Sequence, residues 1–241
     1  MTKPVALVIG AGDALGGAIA RRFAREGMVA CVVRRHGEKL TPLVDAIRGG
    51  GGEAVPFGVD ARKEAAMTAL IEQVEREIGA LEVAVFNIGA NVRFPIREMT
   101  SRVYFKVWEM ACFAGFLMGR EAAKVMVPRG RGTILFTGAT ASLRGGSGFA
   151  AFAGAKFALR ALAQSMAREL GPEGIHVAHS IIDGAIDTEF IRDNFPERYA
   201  LKAKDGILAP DAIAENYWLL HCQTRSAWTH ELDLRPWIEP W

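Results

Sequence analysis

Val5-Ala6-Leu7-Val8-Ile9 runs without a break into Gly10-Ala11-Gly12-Asp13-Ala14-Leu15-Gly16-Gly17. The aliphatic run, rich in β-branched residues, predicts a strand buried on both faces. The glycines predict a tight turn. Ala14 to Glu26, with Leu15, Ala18, Ile19 and Phe23 at helical spacing, predicts the helix that follows. In a strand–turn–helix of this kind, glycines let backbone N–H groups approach a pyrophosphate at the positive end of the helix. A glycine string alone would equally suit a flexible loop; its place between a buried strand and a helix favours a phosphate site.

Working outward, strand and helix alternate along the rest of the chain. Met28–Val33, Ala54–Phe57, Leu81–Phe86, Thr133–Thr137, Ile175–Ile182 and Thr229–Leu234 read as strands. Pro56 puts its strand at a sheet margin or end. Glu38–Arg48, Glu64–Ile78, residues 101–127, Phe152–Leu170 and Pro210 to about Cys222 read as helices. Residues 190–208 mix charges and aromatics without a period and read as short helices in a mobile, substrate-shaping insert. Such alternation implies parallel strands joined by right-handed crossovers, a Rossmann-like doubly wound α/β sheet of about seven strands. Ligands of these sheets bind at the carboxyl ends of strands where the strand order reverses. Chemistry is therefore expected after strands one, four, five and six.

Composition agrees with one globular domain over 1–241: half the residues are apolar, 23% are charged, and no linker divides the chain. A formal charge of +2 gives no global attraction to nucleic acid or anionic membrane. No apolar run approaches the ~18 residues of a membrane helix, and the first residues lack the pattern of a secretory signal. Cys31, Cys112 and Cys222 have no metal spacing, cannot all pair, and read as buried free thiols. Together these features predict a cytoplasmic protein with no metal centre.

The end of the second strand selects the dinucleotide. An NAD site places an Asp or Glu there to hold the ribose 2′-hydroxyl. This chain has Val33-Arg34-Arg35-His36 and no acid before Glu38. Guanidinium groups suit a 2′-phosphate and a carboxylate repels it, so NADP is favoured over NAD. The other reading makes Arg34 and Arg35 ordinary solvated charges.

At this point the chain resembles the short-chain dehydrogenase/reductase family, over nearly its whole length. Besides Gly10, Gly12, Ala14, Leu15 and Gly16 of the turn and the Arg34–Arg35 pair, Asp60-Ala61 is similar to the family's adenine contact. Asn87-Ile88-Gly89 is similar to its Asn-Ala-Gly motif, and Lys156 stands at the Lys of its Tyr-x-x-x-Lys motif. Asp183-Gly184-Ala185-Ile186-Asp187-Thr188 resembles the loop that clasps the nicotinamide end, through Gly184, Ile186 and Thr188. The resemblance implies a dinucleotide-dependent oxidoreductase with a small-molecule substrate, assembled as a homodimer or homotetramer. It also implies that the Lys156 ammonium holds the nicotinamide ribose.

The departures are as informative. Ile9 and Ala14 replace the usual Thr and middle Gly of the turn. The family's proton-donating Tyr falls on Phe152, its carbonyl-orienting Ser on Ala139, the Asn of its proton relay on Cys112, and the Pro of the nicotinamide loop on Asp183. General acid catalysis contributes ~10²–10⁴-fold, so Phe152 should cripple ordinary carbonyl reduction. Ser142, Ser147, Thr137 and Thr140 offer hydroxyls nearby, and Lys156 and Ser142 are the candidate catalytic pair; the serines also suit a polar turn. His176 and His179 are expected on one face of their strand as satisfied core histidines. Trp237 and Trp241 of the tail are expected to pack on a cleft or another subunit. Two functions follow: an NADP-dependent oxidoreductase acting on a small carbonyl or alcohol through an atypical proton relay, or a catalytically silent dinucleotide-binding module.

Overall fold

In the computed structural model, which describes residues 3–240, seven parallel strands form one sheet: β1 (Val5–Ile9), β2 (Val29–Arg34), β3 (Glu53–Gly58), β4 (Leu81–Phe86), β5 (Gly132–Thr137), β6 (Ile175–Ile182) and β7 (Glu231–Leu234). Their order is β3-β2-β1-β4-β5-β6-β7. The helices are α1 (Leu15–Arg25), α2 (Thr41–Gly49), α3 (Glu64–Gln73), α4 (Ser101–Trp108), α5 (Ala114–Met126), α6 (Ala150–Leu170), α7 (Glu189–Asn194), α8 (Pro196–Tyr199) and α9 (Pro210–Cys222). The order reverses between β1 and β4, so a crevice opens at their carboxyl ends.

Strand pleating explains why β1 is aliphatic throughout. Val5, Leu7 and Ile9 of β1 point to the side of α5 and α6, where they pack with Leu117 and Leu159. Ala6 and Val8 point the other way, into the layer of α1, α2 and α9 with Ile19, Val44 and Ile213. A strand with two buried faces favours an apolar residue at every position. Strand β3, which holds Pro56, lies at the sheet edge as expected.

Four features differ from the sequence reading. The helix expected over 101–127 is interrupted by a wide π-type turn at Glu109–Phe113, which contains Cys112. Cys222 is exposed, at the last turn of α9, whereas Cys31 and Cys112 are buried. His176 and His179 lie three residues apart and therefore on opposite faces of β6. His176 stacks on Trp228 with ring centroids 4.9 Å apart, while His179 approaches Arg160 of α6 and Glu231. Finally, β7 is shorter than Thr229–Leu234, because the Thr229 carbonyl accepts from His176 Nε2 (2.8 Å).

Residues 190–208 form α7, α8 and a 3₁₀ turn at Ala200–Lys204. The segment is tied back by a bridge between Ile186 and Leu208 and an ion pair between Lys202 and Asp187 (2.7 Å). Trp237 is largely exposed, and its indole N–H donates to the Lys204 carbonyl (2.9 Å). Trp241, expected with it to pack on a cleft or another subunit, lies outside the described residues. Among the described residues no helix is long and apolar enough to cross a membrane, and no three His, Cys, Asp or Glu side chains gather as a metal ion would need.

Candidate active site

The crevice begins at the turn after β1. Gly10 has φ +88°, and a Cβ there would stand 2.7 Å from the Asn87 carbonyl oxygen. At Gly16 a Cβ would lie 2.2 Å from the Gly10 carbonyl oxygen and 2.8 Å from the Ala11 Cα. These two glycines let α1 start against β1 and β4. Ala14 stands before the helix, and Leu15 packs down into the core. No side chain caps α1, and its first turn carries no acid. Its leading N–H groups thus face the crevice end with the positive end of the helix dipole, and Gly12 leaves the approach sterically open.

Beside this turn lies a cavity of about 400 Å³, lined by Gly10, Arg34, Arg35, Asp60, Ala61 and Arg62 among others. Arg34 is one-third exposed and 3.8 Å from Asp13. A pair so long and solvated is weak, which leaves the guanidinium available to a stronger anion. Asp60 accepts two hydrogen bonds from Arg62, at 2.8 and 2.6 Å. The Arg62 guanidinium holds the Asp60 carboxyl down at about 2 and lies 3.6 Å from Glu109 of the π-type turn. Sequence reasoning missed Arg62. The available signal was an Arg two residues beyond the candidate adenine contact, within reach of its carboxylate.

At the other end, the Asn87 side-chain amide donates to the Gly10 carbonyl (3.2 Å), joining the loop after β4 to the glycine turn. Gly89 follows with free space around its α-carbon. Lys156 is buried, and its Nζ donates to the carbonyls of Thr137 (2.8 Å) and Ile88 (3.2 Å). Three ammonium donors and two protein acceptors leave one N–H for a ligand. Burial pushes its pKa down to about 8. Phe152 lies one helical turn earlier, its ring centroid 5.9 Å from Lys156 Nζ. It is buried in an apolar cluster with Ala90, Val107, Ala111 and Cys112, and burial raises the Cys112 thiol to about 11, so it is no nucleophile at neutral pH.

Ser142 occupies a different place from the one expected of a substrate-facing donor. It is fully buried in the 3₁₀ turn Thr140–Ser142, where its hydroxyl oxygen accepts the Ala139 N–H (3.1 Å). Gly184, Ile186 and Thr188 follow the end of β6. Thr188 caps α7 by accepting the Ile191 N–H (3.1 Å). Asp183, which the sequence marked only as a departure, is fully buried; it accepts from the Thr140 hydroxyl (2.5 Å) and pairs with Arg235 (3.3 Å).

The glycine turn, the Asn87 loop and the buried Lys156 are brought to one crevice, and comparison with known proteins agrees. A family profile described as short chain dehydrogenase matches residues 4–198. The chain is 33% identical over 202 residues to the short-chain reductase protein NovJ of Streptomyces niveus, covering 81% of this chain and 74% of that one. It is 31% identical over 204 residues to the short-chain dehydrogenase/reductase eriH of Hericium erinaceus, covering 82% and 80%. A crystal structure of a short-chain dehydrogenase from Rhodopseudomonas palustris superposes with a TM-score of 0.84 at 52% identity, covering 97% of this chain and 99% of that one. A metagenomic short-chain oxidoreductase in complex with NADP superposes with a TM-score of 0.84 at 26% identity, covering 98% of each. The chain therefore belongs to the short-chain dehydrogenase/reductase family of NAD(P)-dependent oxidoreductases.

Proposed function

We propose that the protein is an NADP-dependent oxidoreductase acting on a small carbonyl or alcohol through an altered proton relay. The observation that carries this reading is the position of Arg34 and Arg35, lining one cavity with Gly10 and Asp60. Gly10, Gly12, Ala14, Leu15 and Gly16 present backbone to the pyrophosphate. Arg34 and Arg35 meet the 2′-phosphate, and Asp60 with Ala61 borders the adenine. Asn87, Gly89, Gly184, Ile186 and Thr188 frame the nicotinamide end, where Lys156 has one ammonium N–H left for the ribose or the reacting oxygen. The bound dinucleotide supplies or accepts the hydride. With Phe152 and Ala139 unable to donate, the Lys156 ammonium is the nearest group that can protonate the substrate oxygen.

The exposed aromatics Tyr104 and Phe105 on α4, with Phe157 on α6, support assembly as a homodimer or homotetramer. The unpaired cysteines support a reducing, cytoplasmic setting. One observation favours a second reading: Phe152 and Cys112 stand together in an apolar cluster where the family keeps its polar relay. A silent dinucleotide-binding module would need nothing more there.

Direct titration tests the cofactor assignment. NADPH is expected to bind at least ~10-fold tighter than NADH, since charge-assisted hydrogen bonds to a phosphate contribute about 1.5–3 kcal/mol each. Substituting both Arg34→Ala and Arg35→Ala should abolish the preference while leaving NADH affinity within a few-fold. Equal affinities in the wild type would refute NADP dependence.

A further inference from the structure

Charge is uneven on the loops that follow the strands of the crevice. The loop between β4 and α4 carries Arg93 and Arg97 against one acid, Glu98. The loop between β5 and α6 carries Arg144 and no acid. The two loops meet where the Phe94 N–H donates to the Gly148 carbonyl (2.8 Å). Gly148 has φ +83°, and a Cβ there would stand 2.8 Å from Arg93 Cγ, so the Arg93 stem lies along this junction. Arg93 is exposed and, among the described residues, makes no ion pair.

The acids on the third loop, between β6 and α7, are already engaged. Asp187 pairs with Lys202 (2.7 Å). Asp183, fully buried, accepts from the Thr140 hydroxyl and pairs with Arg235 (3.3 Å). Arg144 stands near the same carboxylate, its Nη2 3.9 Å from Asp183 Oδ1, too far for a hydrogen bond. Its side chain is 52% exposed, so its N–H groups remain open to a ligand. Arg144 follows the 3₁₀ turn that begins beside Ala139, and Asp183 directly follows β6. The guanidinium thus sits at the carboxyl ends of β5 and β6, where ligands of such a sheet bind.

A guanidinium grips a carboxylate through two parallel N–H···O bonds. The buried charge of Asp183 beside it opposes a phosphate dianion more than a carboxylate monoanion. We propose that Arg144 binds a carboxylate of the substrate, which is therefore an oxo acid or the matching hydroxy acid. Arg93 and Arg97 draw this anion to the crevice. The inference rests on the reading of the crevice as an oxidoreductase site. A substrate anchored by its carboxylate has its carbonyl oriented without the hydroxyl that Ala139 lacks.

Calorimetric binding of pyruvate, levulinate and phenylglyoxylate, each against its methyl ester, tests this on the full chain saturated with NADP⁺, which cannot reduce them. Wild type should bind at least one acid ~10-fold or more tighter than its ester. Arg144→Gln should bring that ratio within about twofold while NADP⁺ affinity holds, and Arg93→Gln should lower it less. Arg144→Lys keeps the charge but loses the fork; it should lower the ratio severalfold, and it carries the test if Arg144→Gln does not fold. Acids bound no tighter than their esters, or a preference that survives Arg144→Gln, would overturn the assignment. So would dihydroxyacetone phosphate bound more tightly than every acid, since a phosphate would then be the ligand. NADP⁺ that fails to bind wild type would instead refute the cofactor reading, and the acid-to-ester ratio of the free protein would then decide this one.

Discussion

Lys156 shows how one side chain can be legible in sequence and still surprise in its environment. Lys156 could be named from the family resemblance, but its isolation among carbonyls and apolar rings could not. With its pKa lowered to about 8 by burial, the folded chain holds fewer protons than the unfolded chain between pH 8 and 10.5. Folding stability attributable to this residue therefore rises with pH across that window, by about 3 kcal/mol in total. The unfolding free energy of cofactor-free wild type, minus that of Lys156→Met, should climb from pH 8 to 10.5 and be flat below pH 7. A difference that stays level or falls would show that Lys156 is not desolvated. Ser142 illustrates the opposite case. Its residue type suggested a donor, but burial and the Ala139 N–H it accepts are set by a turn that no local pattern announced.

Among the elements, the turn from β1 into α1 is the most demanding, because the helix starts where backbone meets backbone. Gly16→Ala would drive a Cβ to 2.2 Å from the Gly10 carbonyl oxygen, a clash with main chain that no rotamer relieves. Overpacking of this kind costs about 1–3 kcal/mol. The expected outcome is a lower thermal midpoint with NADPH affinity reduced at least ~10-fold, measured by calorimetry and titration on the same sample. Unchanged binding would mean that the phosphates do not use this turn. The strands were legible because the central ones are predominantly apolar on both faces, as in Val5–Ile9. The helix over 101–127 was legible in extent but not in its π-type turn, since the residues of Glu109–Phe113 all suit an ordinary helix. His176 and His179 were assigned to one face although a pleated strand puts positions three apart on opposite sides. That single parity separates a histidine stacked on Trp228 from one that meets Glu231.

Over the whole molecule, the sheet order β3-β2-β1-β4-β5-β6-β7 places β1 beside β4, so that Gly10, Asn87 and Lys156 come together although up to 146 positions separate them. In the proposed function the fold supplies the geometry of a hydride transfer, while Phe152, Ala139 and Cys112 withhold the family's usual proton path. The pairing of Asp183 with Arg235 was beyond reach of the sequence because it depends on loops far apart in the chain meeting in space, whereas Arg62 stands only two residues past Asp60. In the proposed function, hydride geometry and proton supply are separable. The direct test is single-turnover NADPH oxidation at saturating cofactor with a panel of simple ketones, for wild type, Lys156→Met and the double substitution Phe152→Tyr with Ala139→Ser. Wild type should be slow on these ketones, Lys156→Met slower still at full cofactor occupancy, and the double substitution faster than wild type by ~10²-fold or more. Ordinary wild-type rates of ~1–10³ per second, unaffected by Lys156→Met and not raised by the double substitution, would contradict it.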